Sequence, residues 1–161
     1  MGTLILSGQQ TTCRVVFADS QEPSSPSWLA LRRATANRQT GKRQILIADD
    51  HEAVRRGLRS ALASAGWQVC GEAANGREAI EKTVELMPDL VILDISMPSL
   101  GGAEAARQIL KSAPQTKVLV FTMHESKQIR EEAAHIGVHG IAVKSAPLST
   151  LLETIASIFA N

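Results

Sequence analysis

Five residues of this 161-residue chain have types suited to one piece of chemistry: Asp49, Asp50, Asp94, Thr122 and Lys144. Three carboxylates brought together repel one another and raise each other's pKa unless a cation sits among them. Oxygen-only ligands select a hard divalent ion, and Mg²⁺ takes one or two carboxylates plus waters and a phosphate. A hydroxyl and an ammonium opposite the metal would complete a cradle for a phosphoryl group. The reaction such a set supports is attack of one Asp carboxylate on a phosphoryl donor, giving an aspartyl phosphate. Singly, each residue has an ordinary explanation. An Asp at a strand end is usually a helix cap or a loop residue, a Thr can be plain strand-end composition, and a Lys a solvated charge. The five matter only if the fold brings them together.

The pattern after residue 43 does so. Five short apolar runs, each followed by a helical stripe, predict strands over Ile45–Ala48, Trp67–Ala73, Leu90–Leu93, Lys117–Phe121 and Ile141–Val143. The helices between and after them are predicted over Glu52–Ala65, Asn75–Met87, Gly102–Ala113, Ser126–Ile136 and Leu148–Phe159. Ser126 is a cap, and Gly66, Pro88, Pro114 and Gly137 are stops. In the second helix Ala79, Ile80, Thr83, Val84 and Met87 are expected on the buried face, with Met87 in the core; Leu148, Leu151, Leu152, Ile155 and Phe159 form the last apolar stripe. Alternating strands and helices imply an α/β fold: a doubly wound, five-stranded parallel sheet with helices on both faces. Ligands of such sheets bind beyond the carboxyl ends of the strands. The first strand ends in Asp49-Asp50, the third in Asp94, the fourth in Thr122 and the fifth in Lys144.

Composition divides the chain at the same place. Residues 1–43 are rich in Gln, Ser, Thr and Pro and hold six basic against two acidic residues, a balance of +4. Residues 44–161 hold eleven basic against fourteen acidic, a balance of −3, so the total of +1 conceals two unlike parts. The first part reads as a mobile basic leader in which only Trp28–Arg43 has a helical pattern. The other account of it is an upstream extension from a misassigned start. Two cysteines exclude a disulfide framework, with Cys70 expected buried in a strand and Cys13 exposed. No apolar run reaches the ~20 residues of a membrane helix, and the N-terminal apolar stretch is too short for a secretory signal. A cytoplasmic location follows as the expectation.

Residues 44–160 resemble the receiver domain of bacterial two-component response regulators. The motifs are Ile47-Ala48-Asp49-Asp50-His51, Asp94-Ile95-Ser96-Met97-Pro98 with Gly102, Val120-Phe121-Thr122-Met123-His124-Glu125, and Val143-Lys144-Ser145. The Ala-Asp-Asp-His opening and the Lys-Ser ending look most like receivers that precede LuxR-type helix-turn-helix domains. The resemblance implies the (βα)5 flavodoxin-like fold, Asp94 as phosphoacceptor, and Mg²⁺ bound by Asp50 directly, by Asp49 through water, by Asp94 and by the backbone carbonyl of Ser96. It implies Thr122 and Lys144 as holders of the phosphoryl oxygens. A sensor histidine kinase or phosphotransfer protein would be the donor and an unknown downstream protein the target. A homodimer is one assembly compatible with it, and the chain would not be an enzyme beyond self-phosphorylation and autodephosphorylation.

Two departures bear on that reading. The family's fifth-strand aromatic, three residues before the Lys, is Ile141 here. The phosphorylation chemistry does not need the aromatic, but its usual readout does; Ile141 either transmits a smaller change through packing or simply fills the core. The chain also ends just after the last helix, so a stand-alone receiver or a regulator lacking its DNA-binding domain is expected. By resemblance Ser96 and His124 border the path of the hydrolytic water, though His124 is equally a surface His near a helix start. His51 is expected to be structural, and His135 and His139 lie too far from other ligand types for a metal site. Met97, Pro98 and Met123 read as loop packing, and Trp67 as packing at the start of the second strand.

There is no Gly-x-x-x-x-Gly-Lys-Ser/Thr loop and no Gly-x-Gly-x-x-Gly. Ser96 stands where an aspartate phosphatase would carry its second Asp, which disfavours a turnover phosphatase. Three functions remain in order: a phosphorylation switch, a phosphorylation-independent interaction module, and a nucleic-acid binder working through the leader. Direct nucleic-acid binding and membrane association are not expected.

Overall fold

The computed structural model describes residues 42–160 apart from residue 99. The leader, Cys13 and the helical pattern before residue 42 lie outside the described residues. Ten elements alternate: β1 (Gln44–Ala48), α1 (Glu52–Ser64), β2 (Gln68–Ala73), α2 (Gly76–Leu86), β3 (Leu90–Asp94), α3 (Gly102–Ser112), β4 (Lys117–Thr122), α4 (Lys127–Ile136), β5 (Gly140–Val143) and α5 (Leu148–Ala160). The five strands form one parallel sheet in the order β2-β1-β3-β4-β5.

The strands bury both faces, so their side chains divide by the two-residue period of a strand. Ile45, Ile47, Leu90, Ile92, Leu119 and Phe121 pack under α1 and α5 through Leu58, Leu62, Leu151, Ile155 and Ile158. Leu46, Ala48, Val91, Leu93 and Val118 face the other way, onto Ala79 of α2 and Ala105, Ala106 and Ile109 of α3. The first layer is filled by large side chains with Ala142 its one alanine, whereas five of the eleven buried residues of the second are alanines. That difference lets α2 and α3 come close. A Cβ on Gly76, at the start of α2, would lie 2.5 Å from the Leu100 carbonyl oxygen and 3.2 Å from the Ala105 Cβ.

Local signals set the ends. The Asn75 side chain accepts from the Glu78 amide (2.9 Å) while the Glu78 carboxylate accepts from the Ala74 amide (2.7 Å), closing the first turn of α2. Ser126 caps α4 by accepting from the Ile129 amide (3.2 Å), and Gly137 ends that helix at φ 83°. Met87 corrects the sequence reading. It is not a core residue but the left-handed C-cap of α2 at φ 49°, half-buried, its sulfur accepting from the Gln115 side chain. Val84 is also displaced, being 47% exposed. Burial in α2 centres on Gly76, Ala79, Thr83 and Leu86, and Val84 lies about 100° around the helix from that line. Leu148 begins the α5 stripe but is exposed in its first turn.

Cys70 marks an irregularity. Ile45 pairs with Val69 and Leu46 with Gly71, so the register skips Cys70, whose thiol donates to the Ile45 carbonyl. Burial pushes the Cys70 pKa up to about 11, keeping the thiol protonated. Trp67 stacks on Phe159 of α5 with ring centroids 5.2 Å apart, joining the start of β2 to the end of the chain's last helix.

Candidate functional site

The loop after β1 leads to α1 on one face of the sheet, and the loop after β3 leads to α3 on the other. They part at the centre of the sheet, where a crevice opens beyond the carboxyl ends of the strands. Asp49 and Asp94 stand at its floor, 1% and 2% exposed. Each carboxylate is aimed by the chain that follows it. Asp49 Oδ1 accepts from the His51 amide (2.9 Å), and Asp94 Oδ1 accepts from the Ser96 amide (2.9 Å). The same carboxylate-to-backbone turn thus recurs at both strand ends.

The second oxygens converge on Lys144. Its Nζ lies 2.6 Å from Asp49 Oδ2 and 2.8 Å from Asp94 Oδ2, with a side chain only 8% exposed. The Lys144 amide donates to the Thr122 carbonyl (2.7 Å), which ties the base of this side chain to β4. Burial would lower the ammonium's pKa, but the hydrogen bonds and charges of Asp49 and Asp94 outweigh it and hold the pKa above the usual lysine value. Two buried carboxylates facing one ammonium leave negative charge in excess.

That excess is where a cation fits. Asp49, Asp50, His51 and Asp94 each offer one ligand atom, and these atoms all lie within 4.8 Å of one another. Asp50 Oδ1 is buried without accepting a hydrogen bond, beside the His51 ring, and Asp49 Oδ2 has the Lys144 ammonium as its one close neighbour. Carboxylate oxygens left in this way suit a hard divalent ion, so the donor set fits Mg²⁺.

Of the residues singled out from the sequence, Asp49, Asp50, Asp94 and Lys144 are brought together. Ser96 is exposed and touches the site through its amide. Thr122 is buried at the end of β4, but its hydroxyl donates to the His124 carbonyl (3.2 Å) instead of reaching into the charged cluster. Ile141 is half-buried on β5, in register with Val120. Met97 is buried as loop packing should be, whereas Met123 is 51% exposed.

Arg55 and Arg59 escaped the sequence reading, and His51 and Gly102 do more than it assigned to them. His51, taken as structural, gives α1 no side-chain cap; its Nδ1 lies 2.8 Å from Asp50 Oδ1. Arg55, one turn into α1, donates to the Asp49 carbonyl (2.8 Å) and to Glu72 (3.2 Å). Arg59 also holds Glu72, and their hydrogen bonds, Arg59's first, keep its carboxyl below the usual range. Gly102 starts α3 against the end of β3. A Cβ there would lie 2.2 Å from the Asp94 carbonyl oxygen and 2.5 Å from the Ile95 Cα. The motif spacing flagged Gly102; an Arg on an exposed-looking helix pattern carries no such signal.

Comparison with known proteins agrees with this geometry. Residues 45–156 match the response regulator receiver domain family. The response regulator GacA of Pseudomonas viridiflava is 38% identical over 119 residues, covering 73% of this chain and 56% of that protein. The chain therefore spans about half the length of the GacA proteins it matches. The chemotaxis protein CheY of Thermotoga maritima is 39% identical over 115 residues, covering 71% of this chain and 95% of CheY. Among solved structures, a LuxR-family two-component response regulator from Aurantimonas sp. superposes with a TM-score of 0.71 at 34% identity, covering 74% of this chain and 86% of that one. A chain of the CheX-CheY-BeF3-Mg²⁺ complex from Borrelia burgdorferi gives a TM-score of 0.72 at 26% identity, covering 78% of this chain and 96% of that one. No helix among the described residues is long and apolar enough to cross a membrane. The sheet, the paired acidic strand ends and the family match agree: this chain belongs to the receiver domains of two-component response regulators.

Proposed function

We propose that the chain is a phosphorylation switch in which Asp94 accepts a phosphoryl group from a sensor histidine kinase or phosphotransfer protein. The observation that carries this reading is the Lys144 ammonium bridging Asp94 and Asp49 beside the buried Asp50 Oδ1, which accepts no hydrogen bond. Asp49, Asp50, Asp94 and the Ser96 carbonyl would hold Mg²⁺, which when bound supplies positive charge against the phosphoryl oxygens. The Borrelia complex, which contains BeF3 and Mg²⁺, supports a divalent ion together with a phosphoryl-like group in this fold.

This chain's residues do the rest. The Ser96 amide keeps the Asp94 carboxylate facing the crevice. One Asp94 oxygen attacks phosphorus. The new O–P bond forms as the donor's P–N bond breaks, and the imidazole leaves with the electron pair. Lys144 exchanges Asp94 for a phosphoryl oxygen while keeping Asp49. The Thr122 hydroxyl gives up the His124 carbonyl for another phosphoryl oxygen. Ile141, in the strand beside Thr122, passes on a packing change, and a downstream protein reads it. The chain turns over no separate substrate; it acquires and loses its own phosphoryl group.

An intact-mass assay tests this. Wild type incubated with a small acyl phosphate should gain one phosphoryl group only when Mg²⁺ is present, and Asp94→Asn should gain none. Undiminished labelling of Asp94→Asn would overturn the assignment. Ile141 favours a second reading, an interaction module indifferent to phosphorylation; partner affinity unchanged by the phosphodonor would support it.

A further inference from the structure

The oxygen donors of the crevice explain a Mg²⁺ site, but they leave the His51 imidazole unexplained. The ring stands at the mouth of the crevice, its side chain 68% exposed, with Nδ1 turned inward. Nδ1 lies 2.8 Å from Asp50 Oδ1 and 3.5 Å from Asp49 Oδ1. Yet Asp50 Oδ1 is buried and accepts no hydrogen bond, from His51 or from any other group. The ring nitrogen and the carboxylate oxygen are thus close without being aligned on one another, and a cation adjoining both would hold them so. Neighbouring ligands of a six-coordinate ion at ~2.1 Å are about 3 Å apart and opposite ones about 4 Å. The spacing of Nδ1 and Oδ1 is that of neighbours, and the whole set of Asp49, Asp50, His51 and Asp94 atoms lies within 4.8 Å. The Asp49 side chain, 99% buried, presents Oδ2 to the same space with only the Lys144 ammonium beside it.

We infer that His51 is a metal ligand, which makes this crevice a mixed oxygen–nitrogen site that takes an imidazole-accepting first-row divalent ion, such as Co²⁺ or Mn²⁺, with an extra bond that Mg²⁺ does not use. The inference rests on the metal-binding reading above and deepens it. Mg²⁺ is held by oxygen and keeps its waters, so it gains little from the ring. Co²⁺ accepts imidazole readily and stands higher in the order of divalent affinities. His51 thus sets which metal the receiver prefers, while the carboxylates set that it binds one at all. Arg55 supports the arrangement from behind, since its bond to the Asp49 carbonyl fixes the turn from which both Asp50 and His51 project.

Equilibrium titrations of wild type, His51→Ala, His51→Gln and His124→Ala with Co²⁺ and with Mg²⁺ test this, alongside electron spin resonance of the Mn²⁺ complex for nitrogen coupling. Both His51 variants should lose tenfold or more in Co²⁺ affinity, keep Mg²⁺ affinity within about twofold, and lose the nitrogen coupling seen in wild type. His124→Ala should retain all three. Equal losses for both metals, no loss for either, or no nitrogen coupling in wild type would overturn the role of His51 and leave the Mg²⁺ reading standing. Wild type that binds neither ion would overturn both.

Discussion

The crevice over β1 and β3 and the edge formed by β4 and β5 are built on opposite plans. In the crevice, Asp49, Asp94 and Lys144 are nearly inaccessible, and each is held by a backbone amide or carbonyl as well as by its ionic partners. At the edge, Thr122 has one 3.2 Å hydrogen bond to a loop carbonyl, Ile141 is half-buried, and Met123 and Leu148 are exposed. The positions that hold charge are over-determined, and those that the proposed switch would move are tied by one contact or by packing alone. Chemistry and readout can therefore vary separately, and replacing the edge aromatic by Ile141 leaves the crevice intact.

The largest way to break the contrast is to remove Lys144. Lys144→Met strands two buried carboxylates, so it should destabilise the domain by ~3 kcal/mol in chelator, with partial recovery on adding Mg²⁺, read by denaturant unfolding. Because the folded pKa of Lys144 is raised, its stabilisation is complete below the unfolded lysine value of ~10.4 and fades as pH rises through the higher folded value. On the alkaline side, the gap between wild type and Lys144→Met should narrow in that range. Gly102→Ala comes next. Its Cβ would collide with the Asp94 backbone, so about 1–3 kcal/mol of stability should go, together with most of the phosphoryl labelling.

Ile141→Phe sharpens the comparison from the other side. It should change stability by less than ~1 kcal/mol and leave labelling intact, yet enlarge the phosphorylation-linked amide shifts along β4 and β5 in NMR spectra. The smallest effect belongs to His139, whose Nδ1 accepts from the Val118 amide (3.1 Å). Burial, then Lys117, lowers its pKa. The neutral ring is favoured in the fold, so its contribution is present above the ordinary His value of ~6.5 and lost as pH falls through the lower folded one. His139→Leu should flatten the acid limb of the stability curve slightly.

Much of this was legible in the sequence because hydrophobic period and breakers act locally. All ten predicted elements exist within a residue or so of their ends, and the buried strands showed as apolar runs. Asp49, Asp50, Asp94 and Lys144 could be gathered because a parallel sheet delivers its strand ends to one side. What stayed hidden depends on direction. The spacing of Val84 and Met87 did not show which line of α2 meets the sheet, or that a non-glycine would take the left-handed cap. The side-chain turns of Thr122 and His51, and the reach of Arg55 back to Asp49, are set by tertiary contacts that no periodicity records.

The central claim is that Asp94, and not its acidic neighbours, carries the phosphoryl group. Borohydride reduction of the acyl phosphate, followed by peptide mapping, locates it directly. Wild type treated with an acyl phosphate and Mg²⁺ should yield homoserine at position 94 alone, and chelator should abolish it. Homoserine at position 49 or 50, or an unchanged residue 94 under conditions that label the protein, would contradict the account.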